Sequence, residues 1–155
     1  MQTGTLAYTL LVLAAFVAVA FLVVPGLILE LVGRTHDVVL IRKTYALASF
    51  HGRVGGPFSI LILLFGLWAA VANGIPLGTT WLVISYVLYA ILAGTGFGYH
   101  MRRELRIAGL SQTSPDSAPS PELAAAIDDP LATPMLWVSG ILWIALIVVM
   151  ILRPG

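Results

Sequence analysis

The chain has 155 residues, of which 59% are hydrophobic and only 10% are charged, and its mean hydropathy is +1.00. A soluble domain carries about 25% charged residues, so this chain has too little polar material to cover a globular surface and is expected to lie largely in lipid. The absence of cysteine excludes disulfide bonds, thiolate metal sites and a cysteine nucleophile. The length allows one domain, residues 1–155.

Four apolar runs predict four membrane-spanning helices, at about residues 6–31, 46–73, 80–101 and 135–152. The first has neither a basic leader nor a cleavage pattern, so we expect a retained helix, kinked at Pro25-Gly26, rather than a signal peptide. The turn at residues 73–78 predicts a tight antiparallel hairpin of the second and third helices. The expected fold is all-α, a polytopic membrane protein built as a four-transmembrane-helix bundle.

The connecting segments set the expected orientation. Residues 107–133 are rich in Ser, Pro, Asp and Ala and predict a mobile cytoplasmic loop, with a short helix at residues 121–127. Of the eight Lys and Arg residues, seven flank the first loop or follow the third helix. The positive-inside rule places that side in the cytoplasm. We therefore expect a multi-pass protein of the cell (inner or plasma) membrane with both termini outside.

Two His-x-Arg groups, His51-Gly-Arg53 and His100-Met-Arg102, stand where an apolar run meets a charged segment. If the hairpin turns near residue 76, the two histidines lie at nearly equal depth and face each other. Glu30 ends the first helix on the same side. A carboxylate in that position needs a cation, and Arg53 and Arg102 are its expected partners.

These residues predict a cytoplasm-facing pocket that can carry acid–base chemistry, because histidine titrates near neutral pH. The alternative is structural, since ionisable side chains near helix ends can extend to the interface or stabilise a helix C-terminus. His36, Asp37 and Glu104 are expected in solvated surroundings. The predicted catalytic residues are Glu30, His51 and His100. The predicted substrate-binding residues are Arg53, Tyr99 and Arg102.

The glycine-rich run Gly94-Thr-Gly-Phe-Gly98 admits two interpretations. Small residues let membrane helices approach closely. Alternatively, the run clears room for a bound ring or chain beside His51. No strand precedes it, so it is not a dinucleotide-binding fingerprint.

Several stretches resemble an uncharacterised bacterial family of predicted four-helix integral membrane proteins, a domain of unknown function. They are Arg53-Val-Gly-Gly-Pro57, Phe65-Gly-Leu-Trp68, Trp81-Leu82, Arg102-Arg103 and Met150-Ile-Leu-Arg-Pro154. The resemblance implies a four-helix membrane bundle and no established activity. That family is distantly similar to the copper-resistance D and membrane protoporphyrinogen oxidase group, which carries a histidine in its first helix. This chain has none there, so no site residue is carried over.

Three functions compete. The first is a non-redox acid–base enzyme, such as a cyclase, isomerase or dehydratase, that acts on a lipophilic small molecule without a cofactor or metal. The second is a b-type haem protein with His51 and His100 as axial ligands. The third is a non-catalytic membrane subunit. The expected partners are the lipid bilayer, the lipophilic molecule and a possible second copy of the chain, with no nucleic acid. A zinc site at His36, His51, His100 and Glu30 has no supporting ligand spacing.

Overall fold

A computed structural model describes residues 3–18, 20 and 23–152 of the chain, with the side chains in this range except those of residues 3, 4, 16, 18, 48, 49 and 51–55. The described chain is all-helical and contains no β-strand. Its helices, in order, are α1 (Thr3–Ala18), α2 (Val24–Gly33), α3 (Val38–Ala72), α4 (Thr80–Thr95), α5 (Met101–Thr113), α6 (Pro121–Ile127) and α7 (Ala132–Leu152), and a π-helical turn (Gly96–His100) joins α4 to α5.

In the first apolar run the structure describes α1 and α2, and the predicted kink at Pro25-Gly26 falls at the start of α2. Pro25 lies in the first turn of α2, where its missing N–H breaks no helical hydrogen bond. A left-handed residue, His36 with φ 55°, separates α2 from α3. The Asp37 side chain then caps α3 by accepting a hydrogen bond from the Leu40 N–H at 3.0 Å.

Residues 107–133, which were predicted to form a mobile loop, contain the second half of α5 and all of α6. The helix that starts at Thr80 continues through the π-helical turn as far as Thr113. The short helix α6 covers the residues predicted for it, and the sequence explains its start. The Ser120 side chain accepts a hydrogen bond from the Leu123 N–H, and Pro121 occupies the first turn.

The helices pack as two pairs. Among the described residues, α3 packs chiefly against α1 and α5, and α4 packs chiefly against α7. The expected turn between α3 and α4 is present, with Gly74 at φ +68°. The two helices are more open than the tight hairpin predicted, and the Tyr89 hydroxyl bridges them by donating to the Ser59 carbonyl.

Two apolar clusters lie at different levels of this arrangement. The head cluster is formed by α2, the start of α3, α5 and α6, and comprises Leu29, Val38, Ile41, Tyr45, Ile107, Leu123, Ala126 and Ile127. The bundle cluster joins α1 to the second half of α3 and comprises Leu11, Ala14 and Ile62, with Trp143 and Met150 of α7 packed against it. The candidate site lies beside the head cluster.

Two stretches of the described chain are long and apolar enough to cross a membrane, Thr80–Thr113 and Pro121–Leu152. Three shorter apolar helical stretches lie at Thr5–Ala15, Val24–Gly33 and Gly56–Ala72. On α7, large apolar side chains at helical spacing are exposed, and Trp137, Ile141, Ile144 and Ile151 are each more than 60% accessible. In water such a stripe would be an unusually large apolar patch.

Candidate functional site

A small polar pocket, open at its mouth, lies where α2, α3, α5 and α7 meet the π-helical turn. Glu30 and His100, two of the predicted catalytic residues, both line it. The structure therefore brings together side chains that are 70 residues apart in sequence. Its lining is completed by Gly26, Leu29, Tyr45, Arg103, Glu104, Ala132 and Leu136.

Glu30 is held between two guanidinium groups. Its Oε2 accepts from Arg103 Nη1 at 3.0 Å, and its Oε1 accepts from Arg34 Nε at 3.3 Å. The side chains of Glu30 and Arg103 are each only 12% exposed, whereas that of Arg34 is 57% exposed. The partially buried pair with Arg103 is the stronger constraint, because exposed ion pairs contribute little. The sequence predicted that a cation would pair with this carboxylate, with Arg53 and Arg102 as the expected partners. The partners in the structure are Arg103 and Arg34.

Arg103 also links the pocket to the head cluster. Its guanidinium donates to the carbonyls of Ala126 at 3.2 Å and Ile127 at 2.8 Å, the last residues of α6. Carbonyls at a helix C-terminus have no intrahelical partner and favour a nearby cation. One side chain thus caps α6 and neutralises Glu30, so α2, α5 and α6 are tied together at the edge of the pocket.

The imidazole of His100 is oriented by α7. Its Nε2 lies 3.0 Å from the Ser139 hydroxyl, and the ring also bonds the Met135 backbone. The neighbouring Tyr99 contacts this ring edge to face at 5.3 Å. Tyr99 itself donates to the Asp129 carboxylate at 2.8 Å and does not line the pocket. Tyr99 therefore contacts the segment that precedes α7 and not the pocket in which it was predicted to bind a substrate.

Glu104 is a pocket residue that the sequence analysis missed. It was expected in solvated surroundings, but it lines the pocket and makes no ion pair or hydrogen bond to any described side chain or backbone group. Glu104 lies on α5, beyond the apolar part of the preceding helix, which ends near residue 101. Burial raises the pKa of the Glu104 carboxyl to about 7, against a smaller lowering effect of the Arg103 charge.

Tyr45 was also missed, although it is among the most buried side chains of the head cluster. Its hydroxyl donates to the Leu29 carbonyl at 3.0 Å. A Cβ added to Gly33 would lie 3.3 Å from this hydroxyl, so the glycine gives Tyr45 its room. The sequence shows Tyr45 only as a tyrosine between a basic segment and an apolar run. That position is equally typical of a pocket wall and of a membrane interface.

Of the other predicted site residues, only Arg102 has a described side chain that can be placed relative to the pocket, and it does not line it. Arg102 is exposed on α5. The side chains of His51 and Arg53 lie outside the described part of the chain, so the predicted approach of His51 to His100 stays a prediction. A Cβ added to Gly94, Gly96 or Gly98 would meet no other group within 4 Å. These glycines therefore do not mark a close helix contact among the described residues.

The described residues contain no group of three or more His, Asp or Glu side chains placed to hold a metal ion. Haem ligation by His100 through Nε2 would require the loss of its bond to Ser139. Two carboxyls and a guanidinium share the pocket with His100, and the Ser139 hydroxyl contacts its imidazole. Carboxyl and imidazole groups of this kind can hold and move protons.

Comparisons of the chain with protein-family models, with curated proteins and with solved structures gave no match. The geometry of the pocket is therefore the basis on which a function can be assigned.

Proposed function

We propose that this chain is a multi-pass protein of the cell membrane whose polar pocket carries out non-redox acid–base chemistry on a lipophilic small molecule. The four expected spans correspond to α1 with α2, the second half of α3, α4 with the π-helical turn, and α7. All seven Asp and Glu residues lie between residues 30 and 129, outside α1 and α7, and gather at the head end of the helices. An exposed apolar stripe on α7 supports contact with lipid.

The observation that carries the acid–base assignment is the unpaired carboxyl of Glu104 in the same pocket as the His100 imidazole. A general acid or base works best when its pKa is close to the operating pH. The Glu104 carboxyl has a pKa of about 7 and can therefore exist in both protonation states near neutrality. Glu30 is already neutralised by two arginines, so it acts in this proposal as a positioning residue for Arg103.

The pocket suits the polar end of an otherwise apolar molecule. Leu29, Ala132 and Leu136 form one part of its wall, and the carboxyl and imidazole form another. In an isomerisation or dehydration, one of the two groups removes a proton from the substrate while the other protonates an oxygen. Such a reaction needs neither a redox cofactor nor a covalent intermediate.

The test compares two carboxylate neutralisations, Glu104→Gln and Glu122→Gln. Glu122 is exposed on α6 and lies outside the pocket, so it controls for the loss of charge. Each protein, in lipid nanodiscs, is incubated with a neutral-lipid extract of the expression host, and substrate loss is followed by mass spectrometry. The wild type and Glu122→Gln should convert the same component, and Glu104→Gln should convert it at least about 10²-fold more slowly.

Equal conversion by wild type and Glu104→Gln, or no conversion by any of the three proteins, would contradict the proposal. The absorption spectrum of the same purified samples tests the haem alternative. A Soret band that His100→Ala abolishes would assign His100 to haem rather than to proton transfer.

A further inference from the structure

A second cavity, partly open to its surroundings, lies between the two helix pairs, with α1 and α3 on one side and α4 and α7 on the other. It is separate from the polar pocket. The nearest lining residue on the shared helix is Tyr89, eleven residues before His100. At a rise of 1.5 Å per residue, this separation is about 16 Å along the helix.

The walls of this interpair cavity are mainly apolar. Leu11, Ile62, Leu82 and Leu146 come from the four different helices, and no charged side chain belongs to the described lining. Gly66 lowers the wall on α3, where an added Cβ would meet only the Leu11 Cδ1 atom, at 3.7 Å. The site can therefore take an uncharged chain or ring, and a carboxylate or ammonium group would find no partner there.

Most polar groups of the lining are satisfied by the backbone of their own region. Ser85 donates to the Trp81 carbonyl, Asn73 donates to the Ala69 carbonyl, and Tyr89 donates to the Ser59 carbonyl. Tyr86 differs. Its hydroxyl is buried and has no hydrogen-bond partner among the described residues. Buried hydroxyl groups are normally paired, so this one is available to an acceptor that the chain does not supply.

We propose that the interpair cavity binds a neutral amphiphile with a long apolar part and one acceptor oxygen, such as an ester or ketone carbonyl. The apolar part fills the space beside Gly66. Tyr86 belongs to the cavity lining, and its hydroxyl donates a hydrogen bond to that carbonyl. This site does not depend on acid–base chemistry at Glu104, and its failure would leave that proposal untouched.

The occupancy test uses a matched pair of glycine substitutions in the full chain. Gly66→Leu fills the cavity, whereas Gly94→Leu adds the same side chain on the exposed side of α4, where an added Cβ meets nothing. The probe is a diazirine-labelled long-chain methyl ester, cross-linked by light to protein in nanodiscs. Peptides of α3 and α4 that line the cavity should be labelled in the wild type and in Gly94→Leu, and about tenfold less in Gly66→Leu.

Gly66→Ala serves as a smaller filling variant if the leucine prevents folding, since its Cβ makes only an ordinary contact. It should give an intermediate decrease. Labelling that spreads over the exposed face of α7 and ignores both Gly66 variants would show bulk lipid contact only and would overturn the site.

The acceptor is tested by crossing Tyr86→Phe with two probes, the methyl ester and a hydrocarbon of equal length that carries the same diazirine. Loss of the hydroxyl should lower apparent affinity for the ester about tenfold and leave that for the hydrocarbon unchanged. Equal effects on the two probes, or none on either, would refute hydrogen bonding by Tyr86. A free fatty acid should compete poorly, because the described lining offers its carboxylate no cation.

Discussion

Glu30 and Glu104 line one pocket and differ in their partners. Two arginines neutralise Glu30. The Glu104 carboxyl has no such bond within the described chain, and its burial favours the protonated form. This difference between two like groups is what separates a positioning carboxylate from an acid–base candidate.

The pH dependence of stability should report on Glu104. Its pKa is raised from 4.5 to about 7 in the folded chain, so between these values the folded state binds more protons than the unfolded state. The stabilising contribution is complete below pH 4.5 and is lost as the pH rises through 7. Thermal unfolding in detergent should show the wild type losing about 5–10 °C more than Glu104→Gln between pH 5 and 8.

Glu122→Gln again serves as the control, because this exposed carboxylate should leave the wild-type pH profile unchanged. Parallel profiles for wild type and Glu104→Gln would mean that Glu104 titrates as an ordinary solvated carboxylate.

Of the three residues that share the pocket, Glu30 and His100 are conspicuous in the sequence and Glu104 is not, for a physical reason. A charge inside an apolar run is conspicuous, because lipid or a core makes it costly. Glu104 follows Arg102-Arg103, and such a charged stretch resembles a solvated surface. Glu104 shares the pocket with Ala132 and Leu136 of α7, which are distant in sequence and approach it only in the folded chain.

At the scale of helices, arginines distant in sequence complete the ends of α5 and α6. Arg42 donates to the carbonyls of Ser111 and Ser114 and to the Asp116 carboxylate. Arg103 does the same for Ala126 and Ile127. Residues 107–133 were predicted to form a mobile loop because Ser, Pro and Asp are frequent there. Local composition does not reveal a cap supplied from α3.

Arg102 and Arg103 provide a comparison of adjacent residues with the same chemistry. Arg103→Ala would leave Glu30 with only the exposed Arg34 and would uncap α6, so its free energy of unfolding should fall by about 3 kcal/mol. Arg102 is exposed, and its alanine variant should change stability by less than about 0.5 kcal/mol. Chemical denaturation in micelles measures both. Faster amide exchange in α6 is expected for Arg103→Ala alone, and equal losses from the two variants would contradict the assigned cap.

For the molecule as a whole, the sequence revealed the apolar runs more readily than their pairing. The Tyr89 hydroxyl contacts Ser59, and these residues lie 13 and 17 positions from residue 76, which is an offset of four residues from the equal depth expected. The sequence did not predict that α3 packs chiefly on α1 and α4 on α7. Nearly uniform apolar helices carry little information about which face meets which neighbour.

The four-span topology makes a prediction that the absence of cysteine renders easy to test. Ser117 lies between α5 and α6, and Gly78 lies between α3 and α4. Both are exposed, at opposite ends of the apolar part of α4. Because the basic residues gather at the head end, Ser117→Cys should react with an impermeant maleimide only after the cytoplasmic face is opened. Gly78→Cys should react in intact cells once any outer barrier is permeabilised. A Cβ at Gly78 meets no neighbour, so the change should be tolerated.

Labelling of both positions from the same face would mean that α4 does not cross the membrane, and the four-span proposal would fail with it.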